Sequence, residues 1–118
     1  MIELTVLNYL KEQFDKTPVV MEVQQGLGDE FILIEKTGSG QSTFSISSDV
    51  LTRSTFAIQS WSGSLYGAMS LNEQVVNAML GITSIKEVSD VELNSDYNYT
   101  DTETKHYRYQ AVFDLVHY

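Results

Sequence analysis

Apolar positions along the chain change period several times, and each change marks an element. In the opening stretch MIELTVLNYLKEQF, Leu7, Leu10 and Phe14 recur at helical spacing and predict a helix over about 2–15. Glu3 and Lys11 interrupt that stretch, so it reads as neither a signal peptide nor a membrane span. Pro18, the only proline, disfavours helix at the residue before it. Val19 to Val23 then reads as a strand, and 24–29, with Gly26 and Gly28, as a turn. Phe31 to Ile34 is apolar at every position, as in a strand covered on both faces. Such a strand lies centrally in a sheet or has its second face covered by a neighbouring protomer.

The segment from Thr55 to Gly81 carries the sharpest punctuation. Phe56 and Ile58 alternate with Ala57, Gln59 and Trp61 at the period of a strand. Ser62, Gly63 and Ser64 break the alternation, and a serine here suits a helix N-cap. Leu65, Ala68, Met69, Val75, Val76 and Met79 follow as the expected buried stripe of a helix, with Asn72 as its polar interruption. Gly81 occupies the place of a C-cap. Beyond it, Ile85 to Leu93 reads as a strand whose apolar phase slips near Ser89 and Asp90, the mark of a bulge or turn. The stretch 94–104, NSDYNYTDTET, reads as a polar, acidic loop. In the last strand Tyr107, Tyr109, Ala111, Phe113 and Leu115 point one way, and Arg108, Gln110, Val112 and Asp114 the other.

The order is helix, three strands, helix, two strands. It predicts an α+β sandwich, one domain over 1–118, with a mixed, mostly antiparallel sheet and both helices on one face. One passage resists assignment. The Gly/Ser-rich run 38–53, GSGQSTFSISSDVLTR, is long for a loop inside a small domain. Its alternating Phe44 and Ile46 fit a β-arm as well as they fit a plain loop.

Charge and composition narrow the functions. Sixteen Asp plus Glu against seven Lys plus Arg give a net charge of −9, which lacks the basic footprint that wrapping nucleic acid needs. The absence of cysteine excludes disulfides, thiol catalysis and cysteine-ligated zinc. His106 and His117 fall on opposite faces of one strand, near its ends, and are expected to be exposed or at an interface. Asp96, Asn98 and Thr100 mimic the first ligands of a calcium loop, but Asp101 stands where glycine is needed and Tyr107 where the bidentate glutamate belongs. Gly38 to Ser42 lacks the lysine of a phosphate-binding loop. No catalytic, cofactor or metal site is expected. Tyr107 and Tyr109 read as core. Tyr97 and Tyr99, in the polar stretch, read as partner contacts, since tyrosine is enriched at protein interfaces.

The layout resembles that of tail terminator proteins of long-tailed phages, also called tail completion or head-to-tail joining proteins. The likeness lies in order and spacing: a helix ending before Thr17-Pro18-Val19-Val20, the strand from Phe31 to Gly38, the Gly/Ser-rich passage, Phe56 to Trp61 with its helix, and a closing strand with Tyr107-Arg108-Tyr109-Gln110. The resemblance implies a non-enzymatic virion protein of tail and neck, assembled in the host cytoplasm. Such a protein forms a hexameric ring that caps the tail tube, stops its polymerisation and meets the head-completion or connector protein. It implies the same α/β sandwich, no cofactor and no membrane. DNA passes through such a ring without being specifically bound. On this expectation Phe44, Ile46, Tyr97 and Tyr99 are interface residues, and Asp96, Asp101 and Glu103 line an acidic lumen that repels DNA phosphates. The alternatives are a connector ring of the phage neck, or a small ligand- or peptide-binding module.

Overall fold

In a computed structural model, residues 1–23, 26–42, 51–101, 103–104 and 106–118 are described. Phe44 and Ile46 lie outside the described residues. Helix α1 (Ile2–Gln13) is followed by strands β1 (Val19–Val20), β2 (Phe31–Ser42) and β3 (Leu51–Ser62), then helix α2 (Leu65–Leu80). A short 3₁₀ turn (Ile82–Ser84) leads to β4 (Val88–Asn98) and β5 (Tyr107–His117). The five strands form one sheet in the order β1-β2-β3-β5-β4. Only the β1–β2 pair is parallel. This is the expected α+β architecture with a mixed, mostly antiparallel sheet.

Both helices lie on one face. Val6 and Leu10 of α1, Leu71, Val75 and Met79 of α2, and Ile32, Ile34, Phe56, Ile58, Phe113 and Leu115 of the sheet form a single core. Tyr9 ties the helices together: its hydroxyl donates to the Ala78 carbonyl at 2.6 Å, and burial raises its phenol pKa above the usual value. Helix α2 starts where the sequence places it. Ser64 Oγ accepts from the Gly67 backbone N–H at 3.0 Å, which satisfies one of the orphan donors of the first turn. Gly67 suits a crowded turn, because a Cβ there would meet Ser62 Oγ and Ser64 Oγ and make those hydroxyls turn away.

Four expectations are corrected. The buried stripe of α2 runs through Ala68, Leu71, Asn72, Val75 and Met79, while Leu65 and Met69 are exposed. The helix carries two apolar stripes, and periodicity alone could not choose between them. The acidic stretch 94–104 is a loop only in its second half, because β4 continues through Asn98 and places Asp96 and Tyr97 on a strand. Tyr107 and Tyr109 are half-buried and stand outside the core. His117 is buried, its Nε2 lying 2.7 Å from Ser54 Oγ. The expected slip near Ser89 and Asp90 is a register shift between Val88 and Asp90, and a second follows between Leu93 and Ser95.

The described part of the Gly/Ser-rich passage is extended. Gly40 pairs with Arg53, Gln41 with Thr52 and Ser42 with Leu51, which lengthens the β2–β3 hairpin. The molecule measures 50 × 25 × 23 Å. β1 covers β2 only at Ile32 and Leu33, so from Ile34 to Ser42 no described strand lies along the outer edge of β2.

Candidate functional site

Residues that alternate with the core positions point to the face of the sheet that carries no helix. Strand register sorts them into rows running across the strands. In one row Leu33, Gln59, Gln110 and Tyr97 are successive cross-strand partners on β2, β3, β5 and β4. In the next, Phe31 partners Trp61 and Trp61 partners Arg108, while Tyr99, just past β4, donates its backbone N–H to the Arg108 carbonyl.

The first row is a hydrogen-bonded relay. Trp61 Nε1 donates to Gln59 Oε1 at 2.9 Å, Gln59 Nε2 donates to Gln110 Oε1 at 2.9 Å, and Gln110 Nε2 donates to the Tyr97 hydroxyl. Each amide is thereby fixed in one orientation across three strands, a use of side-chain hydrogen bonds that rigidifies a surface.

The second row is a stack. Phe31 and Trp61 lie nearly parallel with centroids 5.0 Å apart. The Arg108 guanidinium sits 4.8 Å from the Trp61 centroid and 4.7 Å from that of Tyr99, so it is held between two ring faces. Its Nε donates to the Tyr99 carbonyl at 2.7 Å, and Tyr99 meets Tyr97 edge-on at 5.9 Å. Among the described residues nothing accepts from the Nη groups of Arg108. The guanidinium is therefore positioned by its faces and its Nε, leaving its outer donors toward solvent.

A third polar patch lies further along the same face. Thr55 Oγ1 donates to Asp114 Oδ1 at 2.7 Å and Asn94 Nδ2 to Asp114 Oδ2 at 2.9 Å. These two bonds, the first of them foremost, hold the Asp114 carboxyl below the ordinary carboxylate range. Arg53 beside it pairs loosely with Glu92 at 3.9 Å.

At the end of the stack the turn between β1 and β2 frames a cleft of about 360 Å³ lined by Leu27, Asp29, Phe31, Trp61, Gly63 and His106. Gly26 and Gly28 take φ of 87° and 78°, the left-handed region that favours glycine. The His106 ring tilts against Trp61 at 5.5 Å. Among the described residues no hydrogen bond joins it to Asp29.

The structure brings together two of the expected interface residues, Tyr97 and Tyr99, and, of the three acids expected to share a lumen, keeps Asp101 and Glu103 in one turn while Asp96 lies apart. Asp96 points to the helix-bearing side, where its Oδ1 accepts from Asn72 Nδ2 at 2.7 Å. Asp101 bridges to His106 and accepts from the Glu103 backbone N–H at 3.0 Å. Hydrogen bonds from Thr104 and Glu103, helped by the Arg108 charge, hold the Asp101 carboxyl below its usual pKa. The residues that sequence reasoning missed are Phe31, Gln59, Trp61, Arg108 and Gln110 as one surface. Alternation already placed Gln59, Trp61, Arg108 and Gln110 off the core face, whereas Phe31 lies in a run that is apolar at every position. Only the adjacency of β3 and β5 joins them. Compared with known proteins, the chain matches no family model and no curated protein.

Proposed function

We propose that this chain is a structural protein of a phage tail that assembles into a ring, capping the tail tube and offering a surface for head joining. The observation that carries the reading is an α+β sandwich left open on two sides: a helix-free face built into a rigid platform, and a long edge of β2 with no described strand beside it. Exposed edges invite pairing with another chain, and folds that remain single usually blunt them with charge, proline or bulges. The segment 38–42 on that edge, GSGQS, contains no charged residue and no proline. The layout that motivated the resemblance to tail terminators also agrees with the observed element order. In this role the partners are further copies of the chain, the tail tube protein and a head-completion protein, with DNA passing through the ring.

Native mass spectrometry across a dilution series, with negative-stain imaging of the same samples, tests the reading. A hexamer with a central hole is expected, formed by the protein alone or upon addition of tail-tube ends. Decoration of tube ends, rather than of a portal-side adaptor, distinguishes a tail terminator from a neck connector. A monomer that ignores tube ends at every concentration overturns the reading.

A further inference from the structure

The outer side of α2 carries a second stripe that the core uses only at Val76. Tyr66, Met69, Glu73, Val76 and Leu80 follow one another at spacings of three and four, the line of one helix face. That face is turned about a third of a turn from the buried one. Tyr66 is 80% exposed, Met69 46% and Leu80 47%, while Val76 is half-buried. Glu73 sits in the middle of this stripe and is the only charged residue of the whole helix. Large exposed apolar positions grouped on one element, with a single charge among them, mark an interaction surface.

The opposite side of the molecule presents the converse. The helix-free face has at its aromatic end one cation, Arg108, clamped between Trp61 and Tyr99 with its Nη groups toward solvent. The ring faces of Trp61 are already covered, by Phe31 on one strand and by Arg108 on another. A base or a sugar therefore finds no open face on Trp61, and the net charge of −9 opposes a nucleic acid. What remains available is a rim of apolar edges around two oriented guanidinium donors, a receptor for a carboxylate set in an apolar surface.

We propose that the helix-free face docks onto the outer α2 stripe of a second copy of this chain, with Arg108 receiving Glu73 of that copy. Charge complementarity selects this occupant. The chain has sixteen acidic residues, and the α2 stripe places one of them alone among large apolar side chains. The two surfaces lie on opposite sides of the protomer, so the contact is heterologous and each copy uses one of each. Such a contact propagates, closing into a ring where its rotation permits and running on as a filament where it does not. The proposal rests on the self-assembly in the function proposed above and names the surfaces that make it.

The test compares self-association of the full chain, by sedimentation velocity over a dilution series, with that of Arg108→Glu, Glu73→Arg and the double variant. Each single reversal should weaken association about a hundredfold, as loss of a desolvated charge partner does, and the double variant should recover most of it. Trp61, the only tryptophan, gives a second readout, because its emission should shift to the blue as wild type is concentrated and fail to do so in Glu73→Arg. Glu73 is exposed on the helix surface, so that variant should keep the wild-type circular dichroism. Single variants that associate like wild type, a double variant that recovers nothing, or a wild type that stays monomeric throughout would each overturn the contact. Recovery by the double variant in assemblies that are open filaments would leave the contact standing and remove the ring.

Discussion

Replacing Arg108 by methionine keeps an unbranched apolar stem between Trp61 and Tyr99 and removes the guanidinium. Three interactions go with it: the contacts with the two ring faces, at 4.8 and 4.7 Å, and the 2.7 Å hydrogen bond from Nε to the Tyr99 carbonyl. At a half-exposed site each cation–π contact contributes about 0.5 kcal/mol, and the hydrogen bond about 1 kcal/mol. The expected loss is then about 2 kcal/mol, which in a domain of this size lowers Tm by roughly 8 °C. Thermal and urea unfolding followed by far-UV circular dichroism would measure it. The samples should be dilute, so that association does not enter the stability. A double-mutant cycle with Trp61→Leu isolates the stacked pair, and a coupling of about 0.5 kcal/mol is expected. If Arg108→Met unfolds within about 0.3 kcal/mol of wild type and the cycle shows no coupling, the guanidinium is not held in place. The platform would then be a chance crowding of side chains rather than a prepared surface.

Three further outcomes follow from the geometry. Ser64→Ala removes the oxygen that accepts from Gly67 N–H and should cost about 1 kcal/mol of stability, with Ser64→Asp retaining most of it in the same unfolding assay. Phe113→Ala empties a fully buried position in the centre of the sheet and should cost about 3–5 kcal/mol, read as a lowered urea midpoint. The Asp114 carboxyl is depressed in the folded protein, first by the Thr55 hydroxyl and then by the Asn94 amide. Its contribution to stability is therefore complete above the unfolded carboxyl value of about 4 and is lost as pH falls through the lower folded value. Asp114→Asn should flatten that acid limb in Tm measured from about pH 5 downward, and an unchanged limb would contradict the assignment.

How far the sequence could be read depended on whether the signal was local. The Ser64 cap and the Gly81 stop are decided by side chains within a few residues, and both stand where the period of the helix ends. The phase slip near Ser89 was legible because a register shift moves apolar residues from one parity to the other. The second shift, between Leu93 and Ser95, left no such trace. Past it both faces of β4 are polar, so a strand looks like a loop. Helix α2 offered two apolar stripes, and packing on β3 and β5 selected the one with Leu71. The burial of His117 depends on Ser54, a partner far away in the chain that no spacing rule reaches. The candidate site was hidden for the same reason. Gln59, Trp61, Arg108 and Gln110 each sat on the correct side of a strand, but their union needs β3 beside β5, which is a property of topology.

The two edges of the sheet bear on how copies of this protein meet. β4 closes one side with two register shifts and with Asp90, Glu92 and Asp96 along its length, the features by which an edge resists another strand. On the other side, past the two-residue β1, β2 carries Glu35 and Lys36 and a single shift between Lys36 and Gly38, and then runs uncharged to Ser42. A contact joining β2 of one copy to β4 of the next would press an open edge against a guarded one. Pairing β2 with β2 would make an isologous dimer and stop there, because the same edge of each copy is used up in the two-fold contact. The first pairing is heterologous but is opposed by the shifts and charges of β4, and the second ends at two copies. The proposed pairing of faces would propagate without that obstacle, since the Arg108 platform and the Glu73 stripe are different surfaces and every protomer carries both. On this argument the faces propagate the assembly, and the open β2 edge is left free for a different chain, which in a tail would be the tube protein beneath the ring.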